Sequence, residues 1–147
     1  MIKSAQSVFD VSDLVTNVLL AATSASPEKT KIICNQSDDA KPVTGSEVDL
    51  GMAMYCILLR AIQHFHAGSG KRKQIHILVI CVRRANTILL EISSNSSQNT
   101  EIETPADFDA DMRRAARVIQ SNGGRLTKKA NPSSALDRFI IELPCVA

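Results

Sequence analysis

The stretch 50-LGMAMYCILLRAIQHF-65 sets Leu50, Ala53, Met54, Ile57, Leu58, Ala61, Ile62 and Phe65 at the three–four spacing of one helix face. At 3.6 residues per turn these side chains form one apolar stripe, which seats the helix on a sheet. A second stripe, Cys56, Arg60 and Gln63, lies on another side of the same helix, and what it faces is the place to look for function. Just upstream, Ser46 supplies a cap, and Glu47 and Asp49 supply first-turn acids that suit the positive end of the helix dipole.

Toward the N-terminus, Phe9 and Asp10 open an earlier helix, with Asp10 or Ser12 as its cap and Leu14, Val15, Val18, Leu19 and Ala22 as its buried stripe. It ends in the Thr23 to Glu28 stretch, which carries Pro27. Lys31 to Cys34 is β-prone, and Asn35 to Ser46, with Pro42 and Gly45, reads as a polar loop. Toward the C-terminus, His66 to Lys73 is glycine-bearing and basic, a loop by composition. Gln74 to Val82 and Thr87 to Ile92 alternate around the polar turn Arg83 to Asn86, the pattern of a hairpin. Ser93 to Glu103 is a polar loop.

Thr104 followed by Pro105 starts a last helix, with Asp107 three residues beyond the cap. Phe108, Met112, Ala115 and Ile119 keep helical spacing up to Gly123-Gly124. Arg125 to Lys129 and Arg138 to Leu143 are the closing strands, separated by Asn131 to Ser134 and stopped by Pro144. The order α-β-α-β-β-α-β-β predicts an α+β, two-layer sandwich, in which one mixed, mostly antiparallel sheet is covered on one face by about three helices.

The chain of 147 residues has the size of a single domain, 1–147, able to bury a core without disulfides or metal. One Tyr, four Phe and no Trp make that core aliphatic and argue against aromatic platforms for single-stranded nucleic acid. A net charge of +2 gives no reason to expect a nucleic-acid or membrane partner. Cys34, Cys56, Cys81 and Cys145 show no C-x-x-C spacing and read as free, buried thiols in a reducing cytoplasm. The first residues lack a signal peptide's layout, and no segment approaches the ~20 apolar residues of a membrane span. A cytoplasmic protein is the expectation.

Motifs with chemistry of their own are few. Gly68-Ser69-Gly70-Lys71 has the end of a P-loop, but Phe65 stands where its first glycine is needed and a helix precedes it where a strand is required. His64 and His66 straddle the helix end without a Cys or Asp pattern beside them, so they read as surface histidines and not as metal ligands. No nucleophile–base arrangement is visible. Arg113, Arg114 and Arg117, with Lys128 and Lys129, form a basic patch that is either a solvated face or a docking face for an acidic partner such as a response-regulator receiver domain.

Taken together, 9-FDVSDLVTNVLL-20, 54-MYCILLRAIQHF-65, 122-NGGRL-126 and 139-FIIELP-144 give an order that resembles the ATP-binding catalytic domain of histidine kinases, of the GHKL superfamily. The first piece is similar to the segment after the dimerisation helices, the second to the N-box, the last two to the closing helix and hairpin. The resemblance runs from Phe9 to Pro144 and implies an Mg-ATP site, yet the residues at that site's positions differ.

The family's magnesium-binding Asn falls at Arg60 and an earlier Asn at Cys56, while Gln63 and His64 fit the flanking pattern. A cation is repelled by magnesium and offers it no oxygen. The acid that reads the adenine amino group falls at Ser94, which can still accept a hydrogen bond, and a glycine of the same box falls at Ser96. Two lid glycines fall at Asp109 and Asp111, where triphosphate should meet bare helix amides. The Thr of the last hairpin falls at Asp137.

The resemblance therefore implies a degenerate, non-catalytic module of bacterial two-component signalling, without ATP or magnesium. It is similar in logic to the second domain of ChpT-type histidine phosphotransferases. Its partners would be a receiver domain or a kinase's dimerisation and phosphotransfer helices, with a homodimer also open. The alternative is a nucleotide-binding protein kinase of the histidine kinase or anti-sigma serine kinase type. Arg60 is either an internal cation paired with a carboxylate in the vacated metal site or a solvated arginine.

Overall fold

A computed structural model describes residues 6–25, 30–68, 75–94, 110–131 and 136–146. In chain order the elements are β1 (Ser7–Asp10), α1 (Val11–Ala25), β2 (Thr30–Gln36), β3 (Pro42–Gly45), α2 (Glu47–Gly68), β4 (Ile75–Arg84), β5 (Thr87–Ser94), α3 (Ala110–Ser121), β6 (Arg125–Asn131) and β7 (Leu136–Pro144). A five-stranded sheet runs β2-β4-β5-β7-β6, with β2 parallel to β4 and the other neighbours antiparallel. The architecture is the expected α+β one. No helix among the described residues is long and apolar enough to cross a membrane.

All eight residues of the α2 stripe are buried, none more than 7% exposed. They meet the sheet face formed by alternate residues, among them Ile77, Val79 and Cys81 of β4, Ile88, Leu90 and Ile92 of β5, and Phe139, Ile141 and Leu143 of β7. Side chains alternate across a strand, so one face of each packs on the helices while the other, with Leu78, Ile80 and Val82, stays half-buried. Met112, Ala115 and Ile119 of α3 and Leu14, Val15, Val18 and Ala22 of α1 complete the core. Of the four thiols read as buried only Cys81 is; Cys34, Cys56 and Cys145 are half-buried, at the edges of the core.

Several boundaries differ from the sequence reading. Phe9 and Asp10 are extended, not helical, and pair as β1 with β3, which lies inside the stretch read as a loop. Neither strand has the length or alternation to announce itself, and the pairing depends on where α1 and α2 are docked. Asp10 caps α1, its Oδ1 accepting from the Ser12 amide at 2.8 Å. Burial pulls its carboxyl up, but hydrogen bonds from the amides of Ser12 and Lys41 outweigh that and leave it below the usual range. Helix α2 continues through His66 to Gly68, beyond the predicted stop. The predicted start of the last helix at Thr104 lies outside the described residues.

Lys41 carries no exposed surface at all. Its ammonium donates to the carbonyls of Ser37 at 2.6 Å and Asp39 at 3.0 Å and to Ser12 Oγ at 3.1 Å. Three acceptors match its three protons, which is how a buried ammonium is kept satisfied. The result ties the β2–β3 connection to the start of α1.

The exit of α3 follows from its glycines. Gly123 has φ +86, and the amides of Gly123 and Gly124 bond the carbonyls of Gln120 and Ile119, both at 2.9 Å. These are the two bonds of a Schellman ending. The chain is thereby turned directly into β6.

Candidate functional site

Helices α2 and α3 lie side by side and antiparallel. Asn122, just past α3, accepts through Oδ1 from the Ser46 amide at the start of α2, at 2.9 Å. At the opposite end, the first turn of α3 brings Asp111 against the polar stripe of α2. Arg60 Nη2 donates to Asp111 Oδ2 at 2.5 Å, and Arg60 Nη1 to Gln63 Oε1 at 3.0 Å. Arg114 Nη1 approaches the other oxygen of Asp111 at 3.4 Å. Cys56 Sγ lies 3.8 Å from the Asp111 carbonyl oxygen, which accepts from the thiol.

Asp111 is therefore held between a guanidinium of α2 and one of its own helix. The hydrogen bond from Arg60, then Arg60's charge, holds its carboxyl below the ordinary value of 3.8, with Arg114 adding a smaller pull. Arg60 is 36% exposed and Asp111 45% exposed, so the pair bridges the rim of the α2–α3 seam and is not sealed inside it. Chemically the cluster clamps two helices and sets a fixed cation where the resemblance places a metal ligand.

Of the positions assigned by resemblance to a nucleotide pocket, Cys56, Arg60, Gln63 and Asp111 are thus brought together. Ser94 ends β5 opposite Ile77 and is buried, 4% exposed. Asp137 stands in β7 opposite Ala130. Ser96 and Asp109 lie outside the described residues. Of the basic patch, Arg113, Arg114 and Arg117 are exposed along α3. Lys128 instead places its ammonium 6.0 Å from the Phe139 ring centroid, so the patch divides.

His64, read as a surface histidine, is half-buried, its ring edge-on to Phe65 at 5.6 Å and to Phe139 at 5.8 Å. Among the described residues no three His, Cys, Asp or Glu side chains gather as metal ligands would. Between α1, α2 and the sheet is an apolar gap of about 10 Å³ lined by Val15, Val18, Met54, Leu58 and Ile92, no larger than a water molecule.

Two features escaped the sequence reading. Buried Lys41 gives no local signal, because nothing in a polar loop marks which lysine turns inward. Val48 and Met52, each 68% exposed, do give one: with Tyr55 and Leu59 they repeat at helical spacing on the side of α2 away from its core stripe.

No protein-family model matches the sequence, and no curated protein sequence matches it. Solved structures do. The catalytic domain of histidine kinase ThkA in a nucleotide-free form superposes with a TM-score of 0.74 at 11% identity, over 96% of this chain and 97% of that one. The ATP-binding domain of PrrB from Mycobacterium tuberculosis gives 0.73 at 17% identity, over 97% and 98%. ThkA in complex with the response regulator TrrA gives 0.72 at 10% identity, over 96% of this chain and 42% of that one. The chain has the fold of histidine kinase catalytic ATP-binding domains.

Proposed function

We propose that this chain is a non-catalytic signalling module of bacterial two-component type, with a histidine kinase ATP-binding fold whose Mg-ATP site has been lost, acting in the cytoplasm through protein–protein contacts. The observation that carries this reading is the pairing of Arg60 with Asp111 across the α2–α3 seam. Arg60 does not fit magnesium, since a guanidinium has no oxygen to give and repels the metal, and the oxygens beside it, Gln63 Oε1 and the Asp111 carboxylate, already accept from arginines. Nor does the site fit a triphosphate, because the first turn of α3 presents a carboxylate where an anion seeks bare amides. Seating Mg-ATP there means breaking the ion pair and placing Asp111 against phosphate oxygens.

Residues 1–147 are taken as one such module. The partner expected is a receiver domain or the dimerisation and phosphotransfer helices of a kinase. Support for the first comes from the ThkA complex, in which a kinase of this fold is joined to a response regulator. Calorimetric titration of the protein with Mg-ATP tests the loss of the site. The expected outcome is no saturable heat; a micromolar dissociation constant overturns the reading in favour of a nucleotide-binding kinase.

A further inference from the structure

The five-stranded sheet has two edges, and the chain treats them differently. At one edge β6 carries Arg125, Lys128 and Lys129. Lys128 stands opposite Phe139 on the core-facing side, its ammonium 6.0 Å from that ring's centroid. Cations along an edge, above all one turned inward, keep a sheet from pairing further. At the other edge β2, 30-TKIICNQ-36, has one charge, no proline and an unbroken register of seven residues against β4. Among the described residues no strand lies beyond it.

This open edge is apolar on both faces. Ile32 and Cys34 face the helices yet stay half-buried, whereas Ile77, Val79 and Cys81, one strand inward, are buried. Ile33, on the opposite face, is 40% exposed. The Ser37 amide donates to the Cys81 carbonyl at 3.1 Å, which sets the parity of the ladder: the backbone groups of Ile33 and Asn35 face β4, and those of Ile32, Cys34 and Gln36 face outward. Helix α1 lies over the same edge, where Gln36 Nε2 donates to Thr16 Oγ1 at 3.3 Å. Leu20, one turn on from Thr16, is 65% exposed.

The strand is complementary to itself. Laid antiparallel over its full length, β2 has Ile33 at its centre, so a two-fold axis there sets Ile33 against Ile33, Ile32 against Cys34, and Lys31 against Asn35 of the second copy. The outward amides and carbonyls of Ile32 and Cys34 then exchange hydrogen bonds in pairs, and the two Ile33 side chains meet at the closer, non-hydrogen-bonded position. No like charges oppose one another. The same operation on β6 sets Lys128 against Lys128.

We infer that the outer edge of β2 is an interface between two copies of this chain, paired antiparallel about Ile33, which joins their two sheets into one with both α1 helices on the same side. The interface goes beyond the reading of a lost Mg-ATP site and does not depend on it.

Sedimentation of the full chain over a concentration series tests this. The weight-average mass rises toward twice that of one chain, and amide exchange at Ile32 and Cys34 slows with concentration, so that β2 behaves as an edge only in dilute protein. Ile33→Lys, on the exposed face, keeps the circular dichroism and weakens association at least about tenfold, because it sets like charges face to face. An equimolar mixture of Ile33→Lys and Ile33→Glu associates more tightly than Ile33→Lys alone. In a Cys34→Ser background, Ile33→Cys forms an intermolecular disulfide on oxidation, since non-hydrogen-bonded partners stand about 4.5 Å apart at Cα. Lys31→Cys, about 13 Å from its own counterpart, does not. A protein that stays monomeric up to about 1 mM, a dimer indifferent to Ile33→Lys, or equal linkage at positions 31 and 33 overturns the inference. Should Ile33→Lys fail to fold, the two cysteine variants decide it.

Discussion

Arg60 and Asp111 decide how the α2–α3 seam behaves, and their chemistry is open to measurement. Asp111 is depressed below its ordinary value of 3.8, foremost by the hydrogen bond from Arg60. A depressed acid stabilises the fold above its unfolded pKa, and that contribution fades as the pH falls through the lowered folded value. The carboxyl carbon of Asp111, followed by NMR, should titrate below 3.8 in the native protein and move back toward that value in Arg60→Ala. A midpoint unchanged by the substitution means that the clamp is not formed in solution. The sequence reading offered Arg60 as a cation paired with a carboxylate in the vacated metal site, or as a solvated arginine, and set Asp111 among the same pocket's positions; that these two groups, fifty-one residues apart, meet was not legible. Lys41 was not legible at all, since its burial depends on three oxygens from two separate segments.

At the scale of elements the helices were read well, because each core stripe repeats within one stretch of chain and the caps sit beside it. Ser46 caps α2 as expected, its Oγ accepting from the Asp49 amide at 3.2 Å. The end of α3 was legible from Gly123-Gly124, and its packing gives a second test. A Cβ on Gly124 would collide with the backbone oxygen of Glu142 and come within 2.8 Å of Leu143 Cδ2. Backbone cannot yield as a flexible side chain can, so Gly124→Ala should destabilise the protein by about 1–3 kcal/mol in chemical denaturation. A change within about 0.5 kcal/mol, the usual range for surface substitutions, means that the α3–β6 corner yields to an added methyl. The short strands were read less well. β1 and β3 have four residues each, too few for an alternation to register.

For the whole molecule the question is which strands neighbour which. The alternation in β4, β5 and β7 announced strands, and the polar turn Arg83 to Asn86, which the structure shortens to Ala85-Asn86, announced one hairpin, but nothing local placed β7 beside β5 or laid β2 parallel to β4. Position in the sheet sets an order of protection: β5 has a neighbour on each side, β2 and β6 are edges, and the β1–β3 pair stands apart. Native-state hydrogen exchange should accordingly be slowest in β5, faster along β2 and β6, and fastest in β1 and β3, since two-stranded pairs are marginal on their own. Exchange in β1 as slow as in β5 would make the small sheet part of the global folding unit. The sequence by itself determined the helices, the hairpins and the α+β class, because stripe, alternation and cap are repeats within a few turns of one segment. Only the tertiary structure decided the strand order, the β1–β3 pairing, the burial of Lys41 and the union of Arg60 with Asp111. Each of these joins groups far apart in the chain, and their contact energy exists only once the apolar stripes have docked.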